Sequence, residues 1–143
     1  MLRSRFGLTE RRSLLGALVM LLATFSGVPA SVLAEAGFPY DTEFMMEVRP
    51  MKGSKRVPSL DIGSGGKASI DLWCNTVQAQ IVVEGSAVSI LTGEKTNRQC
   101  DPERMRGDDD VLAALGNVTA WRRQGDVLIL QGERTMRFRR ASN

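Results

Sequence analysis

Lys67-Ala68-Ser69-Ile70-Asp71-Leu72-Trp73-Cys74-Asn75-Thr76-Val77-Gln78-Ala79-Gln80-Ile81-Val82-Val83-Glu84 is the stretch on which the fold turns. Ala68, Ile70, Leu72 and Cys74 share one parity, and Lys67, Ser69 and Asp71 the other. A period of two is what a strand with one buried face requires, and it places Cys74 inward. Val77, Ala79, Ile81 and Val83 repeat the alternation opposite Gln78 and Gln80. Gly63-Ser64-Gly65-Gly66 supplies a turn before the first run, and Glu84-Gly85-Ser86 turns the second into Ala87 to Leu91. Three consecutive runs, the last two joined by a tight turn, predict a meander.

Outward from this centre the pattern continues. Phe44 to Val48 and Val57 to Ile62 read as earlier strands, with Pro58 marking an edge or a strand start. Val118 to Arg122, Val127 to Leu130 and Thr135 to Arg139 read as later ones, separated by Gln124-Gly125-Asp126 and Gly132-Glu133. Short runs spaced roughly 8–12 residues apart favour antiparallel sheets closed or folded upon themselves. Between the two groups lies a helical segment: Asp101-Pro102 is an N-cap and first-turn pair, and Val111, Leu112, Leu115 and Val118 recur at helical spacing. Gly107 is expected to break this segment in two, with Asp108-Asp109-Asp110 capping the second half and Gly116-Asn117 ending it. The three aspartates lack the remaining ligands of a calcium loop, so capping is preferred over a metal site and none is assigned. The expected fold class is mainly β (α+β): a small antiparallel sheet with one helix packed on it.

The chain has 143 residues, 43% hydrophobic and 24% charged, which suits one globular domain with a single core. It contains no histidine, which excludes Ser-His-Asp and Cys-His catalysis and histidine-bearing zinc sites. No Gly-x-Gly-x-x-Gly or Walker loop is present, and the carboxylates are scattered in turns or at the helix start. No catalytic residue and no cofactor are therefore assigned, and no hydrolase, transferase or dehydrogenase activity is expected.

Arg3, Arg5, Arg11 and Arg12 precede an uncharged run from Leu14 to Phe25, too short to span a bilayer comfortably. The run passes through Ser26, Gly27 and Pro29 into Val32-Leu33-Ala34, so residues 1–34 read as a signal peptide cleaved after Ala34, with Ala36 as a second site. The alternative is an uncleaved anchor from Leu14 to Ala34. Arg11-Arg12-Ser13-Leu14-Leu15 resembles a twin-arginine export signal, with departures at Glu10 and Gly16. The four arginines less Glu10 account for the whole net charge of +3, so the chain after residue 34 is neutral and offers no case for nucleic-acid binding. The expected location is the periplasm or the medium, with no membrane span after cleavage.

Cys74 and Cys100 are expected to form an intramolecular disulfide tying the sheet to the helical segment, since export supplies an oxidising compartment. Two separate buried thiols, or a reactive thiol assisted by Arg98, are the alternatives. Lys52, Lys55 and Arg56 read as a solvated turn before an anion patch. Arg134, Arg137, Arg139 and Arg140 offer a basic surface to an acidic partner, or protect an edge strand. Trp73 and Trp121 are expected in the core.

Taken together, Trp73-Cys74-Asn75, Thr96-Asn97-Arg98-Gln99-Cys100, a helix ending in Ala114-Leu115, Val118-Thr119-Ala120-Trp121 and Asp126-Val127-Leu128-Ile129-Leu130 resemble the META domain family, whose bacterial members include HslJ-like heat-shock proteins of the envelope. The resemblance spans residues 57–139 and departs at Trp73, where the family usually has glycine. It implies a β-barrel-like sheet with a helix against it, in a domain over 57–143 preceded by a lead-in and first strand over 35–56. It implies no established reaction and a link to stress tolerance, secretion or motility at the envelope. The preferred reading is a noncatalytic envelope module that binds an envelope protein or a small apolar ligand, expected as a monomer. A thiol-dependent redox enzyme is the second reading. An exported barrel with a disulfide is also similar to periplasmic lysozyme inhibitors, without an inhibitory loop to quote.

Overall fold

The computed structural model describes residues 37–142; the expected signal peptide and Ala34 lie outside them. Eight strands, β1 (Thr42–Met46), β2 (Ser59–Ile62), β3 (Lys67–Asp71), β4 (Thr76–Glu84), β5 (Ala87–Lys95), β6 (Ala120–Gln124), β7 (Val127–Gln131) and β8 (Met136–Arg140), follow one another in chain order around a closed antiparallel barrel. One helix, α1 (Pro102–Gly116), interrupts the sequence of strands between β5 and β6. The first strand pairs with both β2 and β8, so the strand expected in the lead-in closes the ring.

The inward parity of each strand builds one core. Phe44, Leu60, Ile70, Val77, Leu128 and Phe138 are each at most 1% exposed, and Val111, Ala114 and Leu115 of α1 join the same cluster. An eight-stranded barrel is just wide enough for side chains to fill, so the interior here is packed core. An apolar ligand therefore has to sit on the outside of the barrel or between the barrel and its loops.

Local chemistry explains the turns. Gly66 has φ +81°, and a Cβ there would lie 2.2 Å from the Ile81 carbonyl oxygen, so the β2–β3 connection needs glycine on both counts. Asp101 caps α1 by accepting from the Arg104 N–H at 3.2 Å, with Pro102 in the first turn.

Three expectations are corrected. The helix runs unbroken through Gly107: a Cβ at that residue would meet Met51 Cε at 2.4 Å and Trp73 Cδ1 at 2.7 Å, so glycine serves close packing and not a break. Asp108 is consequently not a cap but lies mid-helix, fully buried. Strand β3 ends at Asp71, and Cys74 sits in the turn beyond it, where the Leu72 N–H donates to the Asn75 carbonyl at 2.8 Å. The alternation continued past the strand because the turn also buries Leu72 and Cys74.

The seam between β5 and β6 differs from the other seven. It has one registered pair, Ala87 with Ala120, flanked by hydrogen bonds from Val88 to Thr119 and from Trp121 to Ser86. Trp121 lies at this seam, donating from Nε1 to the Gly85 carbonyl at 2.8 Å and packing edge-on to Phe38.

Candidate functional site: a cleft beside the disulfide

The β3–β4 turn, the segment from Thr96 to Cys100 and α1 meet at one end of the barrel. Cys74 and Cys100 are disulfide-bonded, with a Cα separation of 6.1 Å. Asp108 reaches from the helix into the turn and accepts three hydrogen bonds of 3.0 Å: from the Cys74 and Asn75 backbone N–H groups and from Asn75 Nδ2. Asn75 in turn accepts at Oδ1 from the Arg98 N–H at 2.7 Å and from the Thr96 hydroxyl at 2.8 Å. A carboxylate removed from water is tolerated when its lone pairs are filled by such donors. No Lys or Arg among the described residues lies within ion-pair distance of Asp108. The result is a covalent and polar knot that holds turn, loop and helix in one arrangement.

Beside the knot opens a cleft of about 530 Å³, bounded by Gly53–Val57 on one side and by Leu72–Thr76, Arg98 and Cys100 on the other. Its volume falls within the roughly 300–1,000 Å³ of small-ligand sites. Arg104 forms part of its wall: its guanidinium donates to the Gly53 carbonyl at 2.9 Å and lies 3.2 Å from Asp101 Oδ2, which ties the 50–57 loop to the start of α1. Lys55 and Arg56, expected in a solvated turn, line the cleft together with Arg98. Lys52 is exposed and is not among its lining residues.

The four C-terminal arginines do not form one patch, and they guard no edge strand, because β8 pairs with both β1 and β7 in the closed barrel. Arg137 and Arg139 alternate outward on β8 and both pair with Glu47, the first at 2.8 Å. The hydrogen bond from Arg137, reinforced by Arg139, holds the Glu47 carboxyl below its usual value. Arg134 instead donates to the Asp110 carbonyl on α1, and Arg140 lines a separate small pocket with Asp41 and Glu43. Trp73 and Trp121 are half-buried against the core.

Asp108 and Asn75 are the residues that sequence reasoning missed. Asp108 lies 33–34 positions from the residues it binds and Asn75 lies 21–23 from Thr96 and Arg98, and an acidic triplet within a helical stretch invites a local explanation. The available signal was the neighbour Gly107, since glycine inside a helix marks a close approach.

A closed antiparallel barrel capped by one helix, with its only described cysteines bonded across the turn that receives the helix, defines the class of the protein. The chain belongs to the META domain family, whose model matches residues 42–143. The fold is similar to an NMR structure of a protein from Burkholderia xenovorans, with a TM-score of 0.61 at 18% identity over 81% of this chain and 100% of that one. A second NMR structure is similar with a TM-score of 0.55 at 14% identity, over 69% of this chain and 88% of the other. No curated protein matches in sequence. The family is generally noncatalytic and associated with the envelope.

Proposed function

We propose that the protein is an exported, noncatalytic binding module of the cell envelope, and that the cleft beside the disulfide is its binding site. The observation carrying this reading is the Cys74–Cys100 bond itself. It stitches the cleft wall to the start of α1, and such bonds persist in oxidising compartments. The leader-like charge and hydropathy of residues 1–34 agree with it. The filled barrel interior directs binding to the outer cleft. The thiol-enzyme alternative has no nucleophile while both cysteines are bonded.

Cell fractionation followed by intact mass and N-terminal sequencing tests it. The expected product is soluble, begins at Glu35 or Gly37 and lacks the two hydrogens of free thiols. Recovery of full-length protein starting at Met1, with both thiols open to alkylation, would refute the reading. Exchanging Arg11 and Arg12 together for lysine is expected to stop export along a twin-arginine route; undiminished export assigns the general pathway.

A further inference from the structure

The cleft has a second compartment beside it with the opposite character. Trp73 lines the cleft and also lines an outer groove of about 300 Å³ on the far side of the 50–57 loop. That groove is walled by Met46, Val48, Met51, Val111 and Met136, with Asp110, Arg134 and Thr135 at its margin. Val48 is 40% exposed, so the groove carries apolar surface open to water. Methionine suits such a surface because its unbranched thioether chain adapts to flexible apolar partners.

Charge distinguishes the two compartments. Among the described residues Lys55, Arg56 and Arg98 have no carboxylate within ion-pair distance, whereas Arg104, Arg137 and Arg139 each have one. The acids that line the cleft are Asp71, which accepts from the Thr76 hydroxyl at 2.7 Å, and Glu43. With Arg104 included, the cleft keeps an excess of positive charge at its loop side. A cationic cleft and an apolar groove meeting at one tryptophan are complementary to a molecule with an anionic head and an apolar tail.

The geometry points to an anionic amphiphile, a phosphate or carboxylate head on a hydrocarbon chain, as the ligand of this end of the barrel. The head lies among Lys55, Arg56 and Arg98. The tail crosses the Trp73 edge into the methionine groove. Arginine's planar fork offers paired donors to such a head. This assignment rests on the reading of the protein as a binding module and names the chemistry of its ligand.

Titration of the ¹⁵N-labelled cleaved protein with dodecyl phosphate below its micelle concentration, followed by NMR, tests the assignment. The Trp73 indole N–H resonance, identified by its disappearance in Trp73→Phe, is expected to shift saturably. That of Trp121, held on the Gly85 carbonyl, serves as the internal reference and stays in place. Arg56→Gln combined with Arg98→Gln weakens binding at least tenfold, and Met51→Gln weakens dodecyl phosphate while leaving butyl phosphate unchanged. Arg122→Gln, far from the cleft, changes nothing, and a folded spectrum for each variant separates lost binding from lost structure. Equal binding of dodecyl maltoside, equal binding of inorganic phosphate, or no saturable shift at all would overturn the assignment. None of these results alters the export measurements above, so the ligand class fails independently of the envelope reading.

Discussion

Asp108 is fully buried and accepts three hydrogen bonds from the turn at Cys74 and Asn75. Asp108→Ala leaves the Cys74 and Asn75 N–H groups buried without acceptors, each omission costing about 1–3 kcal/mol. A loss of about 3 kcal/mol in a urea melt is expected, and a change under 1 kcal/mol would show that water replaces the carboxylate at no cost. Gly107→Ala tests its neighbour. Helix propensity alone favours alanine by about 1 kcal/mol, but the added methyl meets the Trp73 ring, and overpacking costs about 1–3 kcal/mol. A lower melting temperature is expected; a higher one would mean that Trp73 yields. A glycine inside the helix signalled a close approach at Gly107, but local pattern reports a residue's neighbours along the chain, and the partners of both residues lie in the turn at Trp73–Asn75.

Elements were legible where the chain obeys one period. Strands β3 and β4 follow from strict alternation, and the start of α1 follows from Asp101-Pro102. The far half of β5 did not, since Thr92-Gly93-Glu94-Lys95 carries no apolar signal and is held by pairing to β4 across a bulge near Val77. The cleft was legible only as its separate parts: the basic turn and the two cysteines were visible, but their convergence required the path of the barrel. At this scale the disulfide links two elements 26 residues apart, and chain entropy assigns it roughly 3–4 kcal/mol. Replacing both cysteines by serine is expected to lower the melting temperature accordingly, and a melt equal to the parent's would mean that the polar knot alone suffices. The Glu47 contacts add a pH dependence. A carboxyl whose folded-state pKa is depressed contributes stability above its ordinary pKa and loses it as pH falls through the lower folded value. The melting-temperature advantage of the parent over Glu47→Gln is therefore expected to be present at pH 7 and to shrink toward pH 3; an advantage constant across that range would contradict the ion-pair account.

For the whole molecule, the barrel is uneven in strength. Seven seams carry at least three registered pairs, and the β5–β6 seam carries one. Local opening starts where few hydrogen bonds must break. Amide exchange is expected to be faster at Val88 and Trp121, whose N–H groups bridge that seam, than at Leu128 in β7; uniform protection would show that α1 and Trp121 seal the gap as well as a full ladder does.

The antiparallel neighbours β1 and β8 bring residues 41 and 141 out at the same rim, with Ala141 N–H bonded to the Glu43 carbonyl. Tension applied across the two ends of the domain would therefore act as on a zipper, loading one rung at a time and never the whole ladder in shear. The rungs would part in order, from Glu43 and Ala141 inward through Phe44 and Arg140 to Met46 and Phe138. Glu47, gripping Arg137 and Arg139, stands at the closed end of that zipper, where it is the last fastening to release.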